Sequence, residues 1–315
     1  MGNLRQNRHD MSLGMLGVSL IWAVYDKLMI NNNISKVCLP NGLFAFERPK
    51  NSALMIYHQI VDYFTPEIDK ILMQKKITVF DVGANIGLFS MEIMHRTEGQ
   101  AHVYCFEPIP ETYNLLQLNL QQFDPSTIHL FNCGLGQREQ YITFMYRPLA
   151  PGMSSCYEMF DTDAKKMVLS MFYNESLASK FHADIPRFFK YLPHFINKQL
   201  ISLAFYLYCK TIGKAIPVEC QLSTISKVIG DHNVKKIDLL KIDVEKAEMD
   251  VLMGIAGPDW EKINAIVLEV HNIDNRQEKI IKMLTQYGFD NIQVDKVVDD
   301  QLIFNIFGFR KHRVQ

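Results

Sequence analysis

Two groups of residues in this chain have types and spacings suited to chemistry. The first lies in the run Val79-Phe80-Asp81-Val82-Gly83-Ala84-Asn85-Ile86-Gly87-Leu88-Phe89-Ser90 and is joined by Glu107, twenty residues after Gly87. Apolar residues lead into an acid, two glycines flank Asn85, and a helix-like sequence follows: a buried strand turning tightly into a helix. Glycines at 83 and 87 would let main chain come within contact distance of a nucleoside ligand. Asp81 could meet an ammonium group or orient the glycine loop; its bland alternative is a helix cap. An acid at 107 can accept hydrogen bonds from both hydroxyls of a ribose. Asn132 and Cys133 follow a third apolar run, where they would line the base end of such a ligand. The second group is Asp243, Glu245, Glu269 and His271. A histidine among carboxylates is poised to take a proton near neutral pH, so His271 is the expected general base, oriented by Asp243 or Glu269. Its bland alternative is a helix-capping or backbone-bonded histidine. Lys241, just before Asp243, is expected to pair with Asp243 or Glu269.

The elements that must hold these residues follow from hydrophobic periodicity. Strands are expected at 77–82, 102–106, 128–133, 237–243 and 264–270, with helices at 87–96, 110–121, 247–255 and 274–287 between them. Runs such as Ile237-Asp238-Leu239-Leu240-Lys241-Ile242 and Ala265-Ile266-Val267-Leu268 are almost continuously apolar, as parallel strands covered on both faces require. The fold class is therefore α/β, a doubly wound, Rossmann-like sheet. Ligands of such sheets bind outside the carboxyl ends of the strands, which is where both groups fall. Phe289 to Val294 and Leu302 to Phe309 read as two strands with a short connection, so the sheet should end in an antiparallel hairpin. Residues 1–75 are expected to form a helical and hairpin extension: a helix at Leu13–Leu28, a hairpin around Pro40-Asn41-Gly42, and helix over Met55–Met73 with Pro66 at a helix start. The domain proper would span 76–315, with an insertion at about 150–215 whose second half, Phe188–Lys214, is aromatic and helical in period. Tyr141–Tyr146 reads as an extra strand, Met153-Ser154-Ser155 as an acceptor-side loop, and Trp260 as core.

Several of these runs together resemble the FkbM family of methyltransferases: Phe80 to Gly87, Phe106-Glu107-Pro108-Ile109-Pro110, Phe131-Asn132-Cys133-Gly134-Leu135, Leu239 to Glu248, and Val267-Leu268-Glu269-Val270-His271. The resemblance covers roughly 37–310 and is similar in particular to members that serve polyketide and nonribosomal peptide assembly lines. Many members carry glycine after Val-Glu; this chain carries Lys246. The resemblance implies a class I methyltransferase fold, S-adenosyl-L-methionine as cofactor, and O-methylation of a hydroxyl on a specialised metabolite. It implies that Asp81, Gly83, Asn85, Gly87, Glu107, Asn132 and Cys133 hold the cofactor and that Asp243, Glu269 and His271 serve transfer. Carboxyl methylation and a non-catalytic nucleoside-binding module are the alternatives. A metal-assisted variant would use Asp243, Glu269, His271 and Asn272 as ligands, but no metal is expected.

Bulk composition narrows the partners. The chain has 315 residues, 48% hydrophobic, with a formal net charge of −1. That supplies a full core and gives no global field for nucleic acid. From Ala164 to Lys214 there are eight Lys and Arg against Glu175 and Asp184, either a solvated basic face or a lid favouring an anionic acceptor or carrier protein. The expected partner is a small-molecule or short-peptide acceptor, free or presented by a carrier. The uncharged run Met11–Tyr25 is short for a bilayer span and is read as a helix packed on the domain or on a second subunit of a homodimer. Six cysteines without paired spacing fit a reducing, cytoplasmic setting.

Overall fold

The computed structural model describes residues 33–50, 52–148, 154–156, 215–297 and 303–310. The expected helix at Leu13–Leu28, Met153, and the insertion helices over Phe188–Lys214 lie outside the described residues. Among the described residues, no helix is long and apolar enough to cross a membrane.

Chain order begins with β1 (Ser35–Cys38) and β2 (Phe44–Glu47), an antiparallel hairpin turning through Gly42 at φ +85°. Helices α1 (Ser52–Val61) and α2 (Pro66–Leu72) follow. Pro66 stands at a helix start as expected, in a first turn that needs no N–H from it, and Thr65 caps that helix by accepting from the Ile68 N–H. The nucleoside-loop half comprises β3 (Thr78–Val82), α3 (Leu88–Arg96), β4 (His102–Phe106), α4 (Pro110–Leu120) and β5 (Ile128–Phe131). A small sheet of β6 (Gly134–Leu135), β7 (Gln140–Tyr146) and β8 (Ile216–Ser223) brackets the insertion. Then come α5 (Ile225–Asp231), β9 (Leu239–Ile242), α6 (Glu248–Met253), a 3-10 turn at Gly257–Lys262, β10 (Ala265–His271), α7 (Arg276–Gln286), β11 (Asn291–Lys296) and β12 (Ile303–Phe309).

The central sheet runs β11-β12-β10-β9-β3-β4-β5. The five strands from β10 to β5 are parallel, and β12 is antiparallel to both β10 and β11. The expected terminal hairpin is thus present, with its last strand inserted between β10 and β11. This is the α/β class I methyltransferase arrangement, with the chain reversal between β3 and β9 making the switch point at which ligands bind.

Alternation along the strands sorts side chains onto two faces. Val79, Leu239, Ala265 and Val267 join one core with residues of α1 to α4; Phe80, Leu240, Ile266 and Leu268 join another with α5 to α7 and the fully buried Trp260. The same period places Asp81, Lys241 and Glu269 on the first face, under the N-terminal elements, with Asp81 and Lys241 direct cross-strand partners. Those elements are fastened tightly. Glu92 of α3 accepts from Asn41 (2.7 Å), Tyr57 (3.0 Å) and Arg96 (2.6 Å), and Arg96 also reaches Asp69 at 2.7 Å. Asn119 of α4 donates to the carbonyls of both Phe46 (3.0 Å) and Ile86 (2.8 Å), tying β2 to the glycine loop. A buried amide with this many partners is costly to remove, since each carbonyl would lose its donor.

Candidate active site

The loop after β3 is curled by left-handed conformations at alternate positions: Gly83 (φ +75°), Asn85 (+51°) and Gly87 (+89°). It is pinned to the end of β4, where the N–H groups of Gly83 and Ala84 both donate to the Phe106 carbonyl (3.0 and 2.9 Å). The two glycines also serve the fold. A Cβ at Gly83 would lie 1.8 Å from the Asp243 carbonyl oxygen, and one at Gly87 would lie 2.7 Å from Leu116 Cδ1. Both glycines make room for protein, seating the end of β9 and helix α4 against the loop.

Glu107 stands at the rim as expected. Its Oε2 accepts the Asn85 N–H and its Oε1 the Ile109 N–H, each at 3.0 Å. Burial raises its pKa to about 7 against the opposing pull of those two amides. Asn132 braces the same turn, donating to the carbonyls of Glu107 (3.0 Å) and Pro108 (3.2 Å), so it acts here as a support for the acid. Cys133 is a neutral, half-buried thiol pushed up to about 11 by burial. Asn132 and Cys133 also line a cavity of about 370 Å³ with Gln221, Ser223, Lys227 and His232. Within the loop, Asn85 Oδ1 is buried and has no hydrogen-bond partner among the described residues. An orphaned buried acceptor beside an anchored acid at the switch point fits a ligand that brings hydroxyl or amino donors, as a nucleoside does.

Asp81 does not reach this rim. It is fully buried, accepting from Ser90 Oγ at 2.6 Å and pairing with Lys241 Nζ at 3.1 Å. Of its two expected roles the structure shows loop orientation, because Lys241 Nζ also donates to the Gly83 carbonyl at 2.8 Å. The same ammonium lies 3.6 Å from Asp243 Oδ2. Burial opposes the charge on Lys241, but Asp81 and Asp243 outweigh it and hold the pKa above the ordinary lysine value. One buried cation therefore joins the nucleoside loop to the second acidic group.

In that group, Asp243 and Glu269 converge on a residue the sequence did not flag. Tyr63 Oη lies 3.1 Å from Asp243 Oδ2 and 3.4 Å from Glu269 Oε2. Burial, then the charges of Asp243 and Glu245, raise the pKa of Glu269. His271 is turned elsewhere. Its Nδ1 is 2.9 Å from Glu248 Oε1 and its Nε2 3.4 Å from Glu245 Oε2, so Glu248 and Glu245 orient it, in place of the expected Asp243 or Glu269. Burial disfavours its charge, yet the hydrogen bond to Glu248 and the surrounding carboxylates push its pKa up to about 9. Glu248 in turn is held low, the pull of His271 and Arg276 exceeding the effect of burial. Arg276 Nη1 meets Glu248 Oε2 at 2.5 Å and the Lys246 carbonyl at 2.6 Å.

The turn between β9 and α6 is bent by two successive left-handed residues, Glu245 (φ +47°) and Lys246 (φ +80°). Lys246 occupies, in a lysine, a conformation that glycine adopts without a Cβ penalty. Ser155 closes over this turn, donating to the Glu245 carbonyl at 2.7 Å, so the loop flagged as acceptor-side does meet the acidic group. Asp243, Glu269, His271 and Asn272 are not gathered as a ligand set: among the described residues no three His, Cys, Asp or Glu side chains form a metal-holding group.

Comparison with known proteins shows the family. The methyltransferase FkbM domain family matches residues 81–290. The chain is 30% identical over 284 residues to the AMB antimetabolite synthetase AmbE of Pseudomonas aeruginosa, covering 87% of this chain but 12% of that protein. It is 28% identical to Methyltransferase 1 of Beauveria bassiana over 61% of this chain and 64% of that one. With the 31-O-demethyl-FK506 methyltransferase FkbM of Streptomyces tacrolimicus it shares 27% identity over 80% of this chain and 87% of the relative. The chain thus spans a small part of AmbE and just under two thirds of the Beauveria protein. With more than half of its 315 residues matched and the glycine loop, its acid and the Asp243 turn all inside the match, the chain belongs to the FkbM family and is a methyltransferase.

Proposed function

We propose that this methyltransferase uses S-adenosyl-L-methionine to methylate a hydroxyl oxygen of a specialised-metabolite intermediate. The observation that carries the reading is the unsatisfied Asn85 Oδ1 beside the amide-anchored Glu107. Glu107 and Asn85 would hold the ribose, the loop from Gly83 to Gly87 would pass beneath it, and Asn132 and Cys133 would border the base. Bound there, the cofactor supplies a methyl group on a sulfonium. On transfer the acceptor oxygen would take the methyl group, and the cofactor would leave as its demethylated product. The hydroxyl proton goes to a base of this chain.

Asp243 is the better placed base. Its side chain is 27% exposed, and it is an acceptor without a donor on Oδ1 among the described residues. His271, protonated up to about pH 9, hydrogen-bonds Glu248 through Nδ1 and turns Nε2 to Glu245 at ion-pair distance, so it serves to fix those two acids. The rim of Asp243, Glu245 and Glu269 also argues for a hydroxyl over a carboxylate acceptor, because an anion brought there meets like charge. The assembly-line context of the relatives' names, AMB antimetabolite synthetase and 31-O-demethyl-FK506 methyltransferase, supports a natural-product acceptor. Calorimetry with S-adenosyl-L-methionine and its demethylated product tests the cofactor half. Wild type should bind both, and Glu107→Ala should weaken each at least tenfold; equal affinity in the variant would refute the assignment.

A further inference from the structure

Tyr63 lies in the turn between α1 and α2, 180 residues before Asp243 and outside the span matched by the family. It is 2% exposed, and its ring packs edge-on against Phe89 at 6.1 Å between centroids. Its hydroxyl is nevertheless aimed at the two carboxylates on the carboxyl ends of β9 and β10. A buried phenol is a large polar commitment, and here its partners are the acids of the transfer site.

The geometry divides the work of the two Asp243 oxygens. Oδ2 is held from one side by Tyr63 Oη and from the other by Lys241 Nζ, which also bonds the Gly83 carbonyl of the glycine loop, pairs with Asp81 of β3 and lies over the Phe89 ring. A carboxylate fixed through one oxygen cannot rotate, so the other oxygen has a set direction. The phenol also has one proton to share between two acids.

We infer that Tyr63 is a positioning residue for methyl transfer: by pinning Asp243 Oδ2 against Glu269, it presents Asp243 Oδ1 to the acceptor hydroxyl as the proton acceptor. This rests on the transfer chemistry proposed above and adds to it a residue from the N-terminal segment. The acceptor proton ends on Asp243.

Tyr63→Phe keeps the ring and its packing on Phe89 and removes only the hydroxyl. The probes are N-acetylcysteamine thioesters of hydroxy acids, with calorimetry of S-adenosyl-L-methionine run alongside. Kinetics on a thioester that wild type methylates should show kcat down at least tenfold in Tyr63→Phe, with KM for thioester and cofactor within about twofold, as for loss of an interaction used in the transition state. The acid limb of the kcat–pH profile should move to higher pH, because the carboxylate pair loses a hydrogen bond to its charged form. Lys241, Asp81, Glu245 and His271 also face the pair and are unchanged in this variant, so they do not supply the shift. Carbon-13 titration of the Glu269 carboxyl should show the same upward movement without any acceptor, and it decides alone if no thioester is methylated. Unchanged kcat, or an unmoved carboxyl titration, overturns the inference. So does a fall in kcat accompanied by lost cofactor affinity and spectral changes throughout the protein, which marks a purely structural role. Failure of wild type to bind the cofactor would instead sink the proposed function, and the carboxyl titration would then decide the role of Tyr63.

Discussion

Gly83 offers a quantitative test of how the two halves of the site are joined. Alanine at this position faces two separate penalties. The first is the left-handed backbone at φ +75°, worth roughly 1–2 kcal/mol for a residue with a Cβ. The second is steric: the new methyl would sit 1.8 Å from the Asp243 carbonyl oxygen and 2.9 Å from its carbon. Those are backbone atoms of a strand end hydrogen-bonded to Val82, so they cannot yield as a side-chain tip would. Overpacking against rigid groups adds about 1–3 kcal/mol or more, giving roughly 2–5 kcal/mol or more in all. Two other glycines separate the terms. Gly42 has φ +85° and nothing within 4 Å of a Cβ, so its alanine variant should show the backbone cost alone, about 1–2 kcal/mol. Gly87, at φ +89° with the pliant tip of Leu116 at 2.7 Å, should fall between. Urea denaturation of the three variants, followed by tryptophan fluorescence and circular dichroism, gives the ranking Gly83→Ala > Gly87→Ala > Gly42→Ala. If Gly83→Ala costs no more than Gly42→Ala, the docking of β9 on the loop has been misjudged.

Two further outcomes follow from the buried charges. Lys241→Met strands Asp81 without its cation and should destabilise by about 3–5 kcal/mol, whereas adding Asp81→Asn should recover a large part of that; a double variant no better than Lys241→Met would contradict the pairing in urea unfolding. His271, with its pKa raised to about 9, contributes stability that is fully present below the ordinary histidine value near 6.5 and is lost as pH rises through 9. Histidine ring NMR should therefore show this residue titrating near 9 in wild type and distinctly lower in Glu248→Gln; an ordinary midpoint in wild type would show the Glu248 contact to be absent.

The sequence was most informative where a local pattern carries its own geometry. Near-continuous apolar runs flagged the parallel strands, the short Asp295–Asp300 connection required an antiparallel end, and acid, glycines and a second acid marked the loop of residues 81–107. It was less informative about which groups meet. Glu248 was visible only as part of a motif, and nothing in its neighbourhood announced that it, with Glu245, would fix His271 as a cation. Tyr63 carried no local signal at all, because its role depends on α1 and α2 laying it across strands that come 180 residues later. The glycines were singled out for close approach to a ligand, and in the fold each also makes room for protein. Spacing shows that a Cβ is excluded, but only the fold shows whether protein or ligand excludes it.

The span recognisable by family runs from 81 to 290, and the working unit is wider at both ends. Its lower limit omits Tyr63, which contacts Asp243 and Glu269; its upper limit omits β12, which pairs with β10 along seven residues. Anyone grafting this activity onto another protein, or excising it from a longer assembly, should cut outside residues 33–310. A transplant trimmed to the recognisable motif would carry the glycine loop intact and leave behind both its brace and an interior strand of its sheet.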